Sequence, residues 1–169
     1  MRRTVAMLVV LVTCGSSQAA DPKVDRVEIV QHGIYELQFD RHLSSHEGRA
    51  FDRVRAKALM QITDVVPGWP CISYGVEYRI IGEPAGAAVE IEMVTRIPGS
   101  SRQPTRTTIN RTVGGIHFRS FTFDRRDELL PGTWAFEFKA GGRVIGEHRF
   151  HVLEMPDDIV IPCETPATN

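Results

Sequence analysis

The chain has 169 residues, 42% of them apolar, and a net charge of −1 from 20 basic and 21 acidic side chains. That length suits one domain with a real core. Near-balanced charge without a basic block excludes the phosphate-neutralising surface that nucleic acids require, and electrostatic docking on anionic lipid.

The first residues, MRRTVAMLVVLVTCGSSQAADPK, have the three-part layout of a secretory signal. Arg2 and Arg3 form the basic region, Val5 to Val12 the apolar core, and Ser17-Gln18-Ala19 the small residues a signal peptidase reads. The apolar stretch falls short of the roughly 20 residues a transmembrane anchor needs. Residues 1–19 are therefore expected to be a signal peptide and the protein to be periplasmic or secreted. A lipid anchor on Cys14 is the alternative, weakened by Thr13, where a lipobox wants a small Gly, Ala or Ser. Cleavage removes Arg2 and Arg3 and no acidic residue, so the net charge moves from −1 to −3.

Residues 20–155 are expected to form a β-sandwich domain. "VDRVEIVQHGIYELQF" reads as one strand broken near Gly33, or as two short ones. In residues 41–64, Phe51, Val54, Ala58 and Ile62 have near-helical spacing, but the absence of a clean cap favours a loop followed by a strand. "ISYGVEYRI" alternates strictly, with Ile72, Tyr74, Val76, Tyr78 and Ile80 on one face. "VEIEMVTRI" repeats the pattern with Val89, Ile91, Met93 and Ile97, and the Gly82–Gly86 turn predicts that the two form a hairpin. "TTINRTV" is Thr-rich and poor in apolar bulk, the composition of an edge strand. In "IHFRSFTFD", Phe118 is out of step with Phe121 and Phe123, which predicts a bulge or bend. In the last long stretch, Trp134, Phe136 and Phe138 share a face, Ala140-Gly141-Gly142 makes a turn, and Val144, His148, Phe150 and Val152 return at one parity. A terminal hairpin follows.

Seven or so short strands with closely spaced turns predict an all-β, immunoglobulin-like antiparallel sandwich; an up-and-down barrel is the alternative. Its core is expected to hold Trp134, Phe136, Phe138, Tyr74 and Tyr78. Once the signal is removed, Cys71 and Cys163 remain, and an even pair in an exported chain reads first as a disulfide. Such a bridge would close a loop of about 90 residues, for which chain entropy allows about 4–5 kcal/mol at most. It would tie the tail, residues 156–169, to the domain. A metal role for these cysteines is weak without C-x-x-C or a nearby histidine, and a nucleophile would need an activating base.

The succession "HGIYEL", "YGVEYRIIGEPAG" and "FTFDRRDELLPGTWAFEFKAGGRVIGEHRFHV" resembles a bacterial family of unknown function, domain of unknown function 3859. The resemblance covers most of residues 24–153, and the Gly-Thr-Trp strand with its hairpin is its most specific part. It implies one compact β domain and no activity, cofactor or catalytic residue.

His42, His46 and Glu47 are the compact set of potential metal ligands in the sequence, but "LSSHEG" is a poor helix and a further ligand would have to come from elsewhere. His148 and His151 are an odd number of residues apart on a strand and face opposite ways. Glu77, Glu90, Glu92 and Glu137 fall on the wet parity of their strands. There is no G-x-S-x-G, P-loop or dinucleotide fingerprint. The sequence thus points to a non-enzymatic binding or interaction module of the bacterial envelope. It expects no catalytic residue, metal or cofactor, and its partner would be an envelope protein or polymer. A small hydrolase using a His42/His46/Glu47 metal loop, or a lipid-anchored structural protein, are the alternatives.

Overall fold

Alternation of apolar and polar residues is realised as strands throughout the described chain. The protein is represented by a computed structural model that describes residues 21–40, 53–99, 104–123 and 128–154. Among these residues lie β1 (Lys23–Asp40), β2 (Arg53–Gln61), β3 (Val65–Val66), β4 (Ser73–Glu83), β5 (Ala88–Arg96), β6 (Thr105–Thr112), β7 (Ile116–Thr122), β8 (Gly132–Ala140) and β9 (Arg143–Val152). They form two sheets, ordered β2-β1-β4-β7 and β3-β9-β8-β5-β6. All pairs are antiparallel except β3 with β9. This is an immunoglobulin-like β-sandwich.

The core lies between the sheets, where the apolar parities of the strands meet; the central strand β8 is buried on both faces over Trp134–Phe138. Tyr74, Tyr78, Trp134, Phe136 and Phe138 are all 1% exposed or less, and Val76, Ile80, Ile91, Phe123 and Phe150 complete the layer. The aromatic rings interlock. Tyr74 stacks on Phe136 at 5.7 Å between centroids and meets Trp134 edge-on at 6.1 Å, while the Trp134 indole N–H donates to the Leu130 carbonyl at 2.8 Å. The outer face of the five-stranded sheet is laced with ion pairs, Glu92–Arg106, Glu147–Arg149, and Glu137 with Arg96 and Lys139, and Glu137, expected on a wet parity, is buried there beside Val94 and Ala135.

Several expectations need correction. β4 and β5 are not a hairpin. They belong to different sheets, so the Gly82–Gly86 turn carries the chain across the sandwich, and each strand presents its apolar parity to the shared interior. No bulge interrupts β7, whose pairing with β4 runs without a register shift from Arg79↔Ile116 to Ser73↔Thr122. Phe118 is out of step because it lies on the outer face, against Tyr35 at 4.9 Å and under the Lys57 ammonium. The terminal hairpin is present, but Val144 is exposed. A register shift beside Phe138 inserts one extra residue in β9, so Ile145 is buried instead. β1 is a single strand of 18 residues that runs through Gly33, and β2 occupies the stretch with near-helical spacing. β6 is an edge strand.

The first and last of these strands lie against each other across the sandwich. A Cβ on Gly146 of β9 would stand 2.7 Å from the Val27 Cβ of β1, so the missing side chain allows this approach. Arg143 reinforces it by donating to the Val24 carbonyl at 2.7 Å and the Asp25 carbonyl at 3.3 Å.

Candidate ligand site between the two sheets

Where β1 and β9 face each other, two core positions are histidines. His32 lies opposite Val76 on β4, and His148 lies opposite Phe136 on β8; both partners are core residues. Directly paired residues point to the same face, so both imidazoles enter the inter-sheet layer, one from each sheet. Their ring centroids are 4.6 Å apart. Phe150 packs edge-on against His148 at 4.7 Å and backs the pair with apolar surface.

Asp64 completes the cluster from the link between β2 and β3, and local chemistry places it. Gly33 has a φ of 145°, and a Cβ there would lie 1.9 Å from the Gln61 carbonyl oxygen; only a bare backbone lets residues 61–62 come this close beside His32. Thr63 then closes a tight turn, its Oγ1 accepting from the Val65 N–H at 2.9 Å. The Asp64 carbonyl accepts from the His151 N–H at 2.7 Å and docks the link on β9. As a result Asp64 Oδ1 lies 2.9 Å from His148 Nε2 and 3.2 Å from His32 Nε2. The three ligand atoms all fall within 4.8 Å of one another.

The surroundings grade from dry to wet across the cluster. His148 is mostly buried, His32 partly, and the Asp64 carboxyl is open to solvent. Burial, and then the neighbouring His32, lower the His148 pKa, against the opposing pull of Asp64. A neutral imidazole keeps a lone pair for a ligand.

A second buried polar group lies elsewhere in the layer. Arg119 of β7 points inward, donates to Thr95 Oγ1 at 2.9 Å and sits over the Phe136 ring, and burial lowers its pKa. The hydroxyls of Tyr35 and Tyr74 are buried without a hydrogen-bond partner among the described residues.

The cluster is not the one the sequence offered. His42, His46 and Glu47 lie outside the described residues, as do Cys14, Cys163 and the tail. His151 is exposed on the opposite face from His148. Cys71 precedes β4 with a φ of 65°, its N–H donating to the Phe123 carbonyl at 2.9 Å, and it is not a free thiol. Along the chain His148 has only His151 as a nearby histidine, and that one faces the other way. The usable signal was a histidine at the same parity as Phe150 and Val152, since a polar ring on a core face needs a partner from another segment.

No family model matches the chain, and no curated protein matches it. Among solved structures, an immunoglobulin-like protein from Pseudomonas aeruginosa aligns with a TM-score of 0.50 at 20% identity, covering 80% of this chain and 100% of that one. A β-glucosidase from Listeria innocua aligns at 0.36 and 11% identity, covering 72% of this chain and 16% of the enzyme. A β-glucosidase from Erythrobacter marinus aligns at 0.33 and 13% identity, covering 54% and 14%. The first likeness concerns the fold alone.

Proposed function

We propose that the protein is an exported, non-enzymatic binding module of the bacterial envelope that binds through the His32–Asp64–His148 cluster. The observation that carries this reading is the convergence of three side chains with ligand atoms, from three separate segments, on one partly open point of the inter-sheet layer. Buried polar groups that are not needed for packing are costly, and their presence at an accessible margin is the signature of a binding site. Export rests on the basic, apolar and small-residue order of residues 1–19. The Cys71–Cys163 disulfide belongs to the same reading, and the engaged state of Cys71 supports it.

The test is ligand-agnostic. Isotope-labelled mature protein is mixed with a low-molecular-weight periplasmic filtrate and its amide and imidazole resonances are followed. Shifts confined to His32, Asp64, His148 and their neighbours are expected. Shifts clustered elsewhere, or turnover of generic ester, phosphate or glycoside substrates that His148→Ala abolishes, would replace this reading.

A further inference from the structure

We infer that the His32–Asp64–His148 cluster is a binding site for one divalent first-row transition metal ion, with zinc the natural occupant. The ligands are the Nε2 atoms of His32 and His148 and a carboxylate oxygen of Asp64. The inference rests on the binding-site reading above and names the class of ligand.

Geometry carries it. Ligand atoms about 2.0–2.1 Å from a tetrahedral ion stand about 3.3 Å from one another. Here the carboxylate oxygen is 2.9 and 3.2 Å from the two imidazole nitrogens, close to that spacing, and all three atoms lie within 4.8 Å of one another. The donor set of two imidazoles and one carboxylate suits zinc, and three protein ligands leave a fourth position for water on the open Asp64 side. The two histidines are anchored on strands of opposite sheets, and the close approach at Gly146 fixes their separation. A site supported by rigid strands is pre-organised. In each ligating ring the single proton of the neutral imidazole sits on Nδ1, which leaves the Nε2 lone pair to take the ion.

The test uses untagged mature full-length protein, stripped with chelator, and zinc chloride as the probe. Calorimetric titration at neutral pH should give one equivalent bound. Asp64→Ala, which alters an exposed side chain, and His148→Ala should each weaken binding by about 100-fold, while His42→Ala/His46→Ala leaves it unchanged. Cobalt chloride should give the intense visible bands of a four-coordinate ion without a thiolate band. If His148→Ala fails to fold, the wild-type imidazole resonances decide, since zinc should shift those of His32 and His148 and spare His117 and His151. Absence of saturable binding below about 1 mM zinc overturns the metal inference. Binding that survives Asp64→Ala, or that is lost with His42 and His46, overturns it as well. The two readings fail separately: filtrate shifts at the cluster without zinc binding leave the module standing, and zinc binding with turnover removes the module but not the metal.

Discussion

Trp134 is fully buried, its indole N–H is bonded to the Leu130 carbonyl, and it touches Tyr74, Phe121 and Phe123. Replacing it with alanine removes the largest ring of the core, and Trp134→Ala should cost about 3–5 kcal/mol in denaturant unfolding. The tyrosines give a second residue-scale prediction. The chain has three, and burial raises the pKa of each: Tyr35 is pushed up to about 12, Tyr74 rises well above the ordinary value, and Tyr78 rises against the opposing hydrogen bond from Arg111. A raised phenol stabilises the fold below its unfolded pKa near 10 and loses that contribution as pH rises through the folded value. Ultraviolet titration should therefore show no phenolate near pH 10 in the native protein. Ionisation should appear at higher pH, together with loss of fold; a normal titration of even one tyrosine would mean its ring is wet.

Between elements, close approaches are set by missing side chains. Gly33→Ala drives a methyl into the Gln61 carbonyl at a φ that suits glycine, so it should part β1 from β2, lower stability by about 1–3 kcal/mol, and move Asp64 away from His32. Thermal unfolding gives the first effect and zinc affinity the last. On the outer face, the hydrogen bond from Arg96 lowers the Glu137 pKa, with burial opposing. A depressed carboxylate stabilises the fold above its ordinary pKa, and the contribution disappears as pH falls through the lower, folded value. Glu137→Gln should thus be less stable than the parent at neutral pH, and the difference should shrink through about pH 4 and below. Arg96 is half exposed, so the effect is expected to be small. Strand parity was legible at this scale because alternate side chains must face opposite ways: the Tyr74-Val76-Tyr78-Ile80 and Trp134-Phe136-Phe138 faces can be read directly. Strand partnership was not. The β4–β5 turn has the composition of a hairpin, and nothing local distinguishes it from a crossing, because both strands bury the same kind of face either way.

At the scale of the molecule, the number of short alternating strands pointed to an all-β fold and favoured the sandwich over a barrel, since one-sided burial of short strands leaves few other architectures; the two separate sheets decide between them. The site was not legible. His32, Asp64 and His148 are separated by long stretches of chain and meet only through the inter-sheet register. A glycine at 33 and another at 146 decide that meeting, and neither announces its contact in sequence. The proposed Cys71–Cys163 staple is also a whole-molecule feature, tying the tail to the base of β4. Non-reducing peptide mapping should recover the two cysteines in one linked fragment, and free alkylation of Cys163 in the native protein would remove the staple.

The clasp between β1 and β9 has a mechanical consequence. These strands begin and end the described chain, and they are held together by the Val27–Gly146 contact, the Arg143 bonds to the carbonyls of residues 24 and 25, and the Asp64 bridge between two imidazoles. Tension applied through the two ends of the domain therefore falls on several contacts in parallel. Neither sheet can be drawn off its neighbour without breaking that group of contacts together. Under such a load the domain should yield abruptly at a threshold force instead of unravelling from one end.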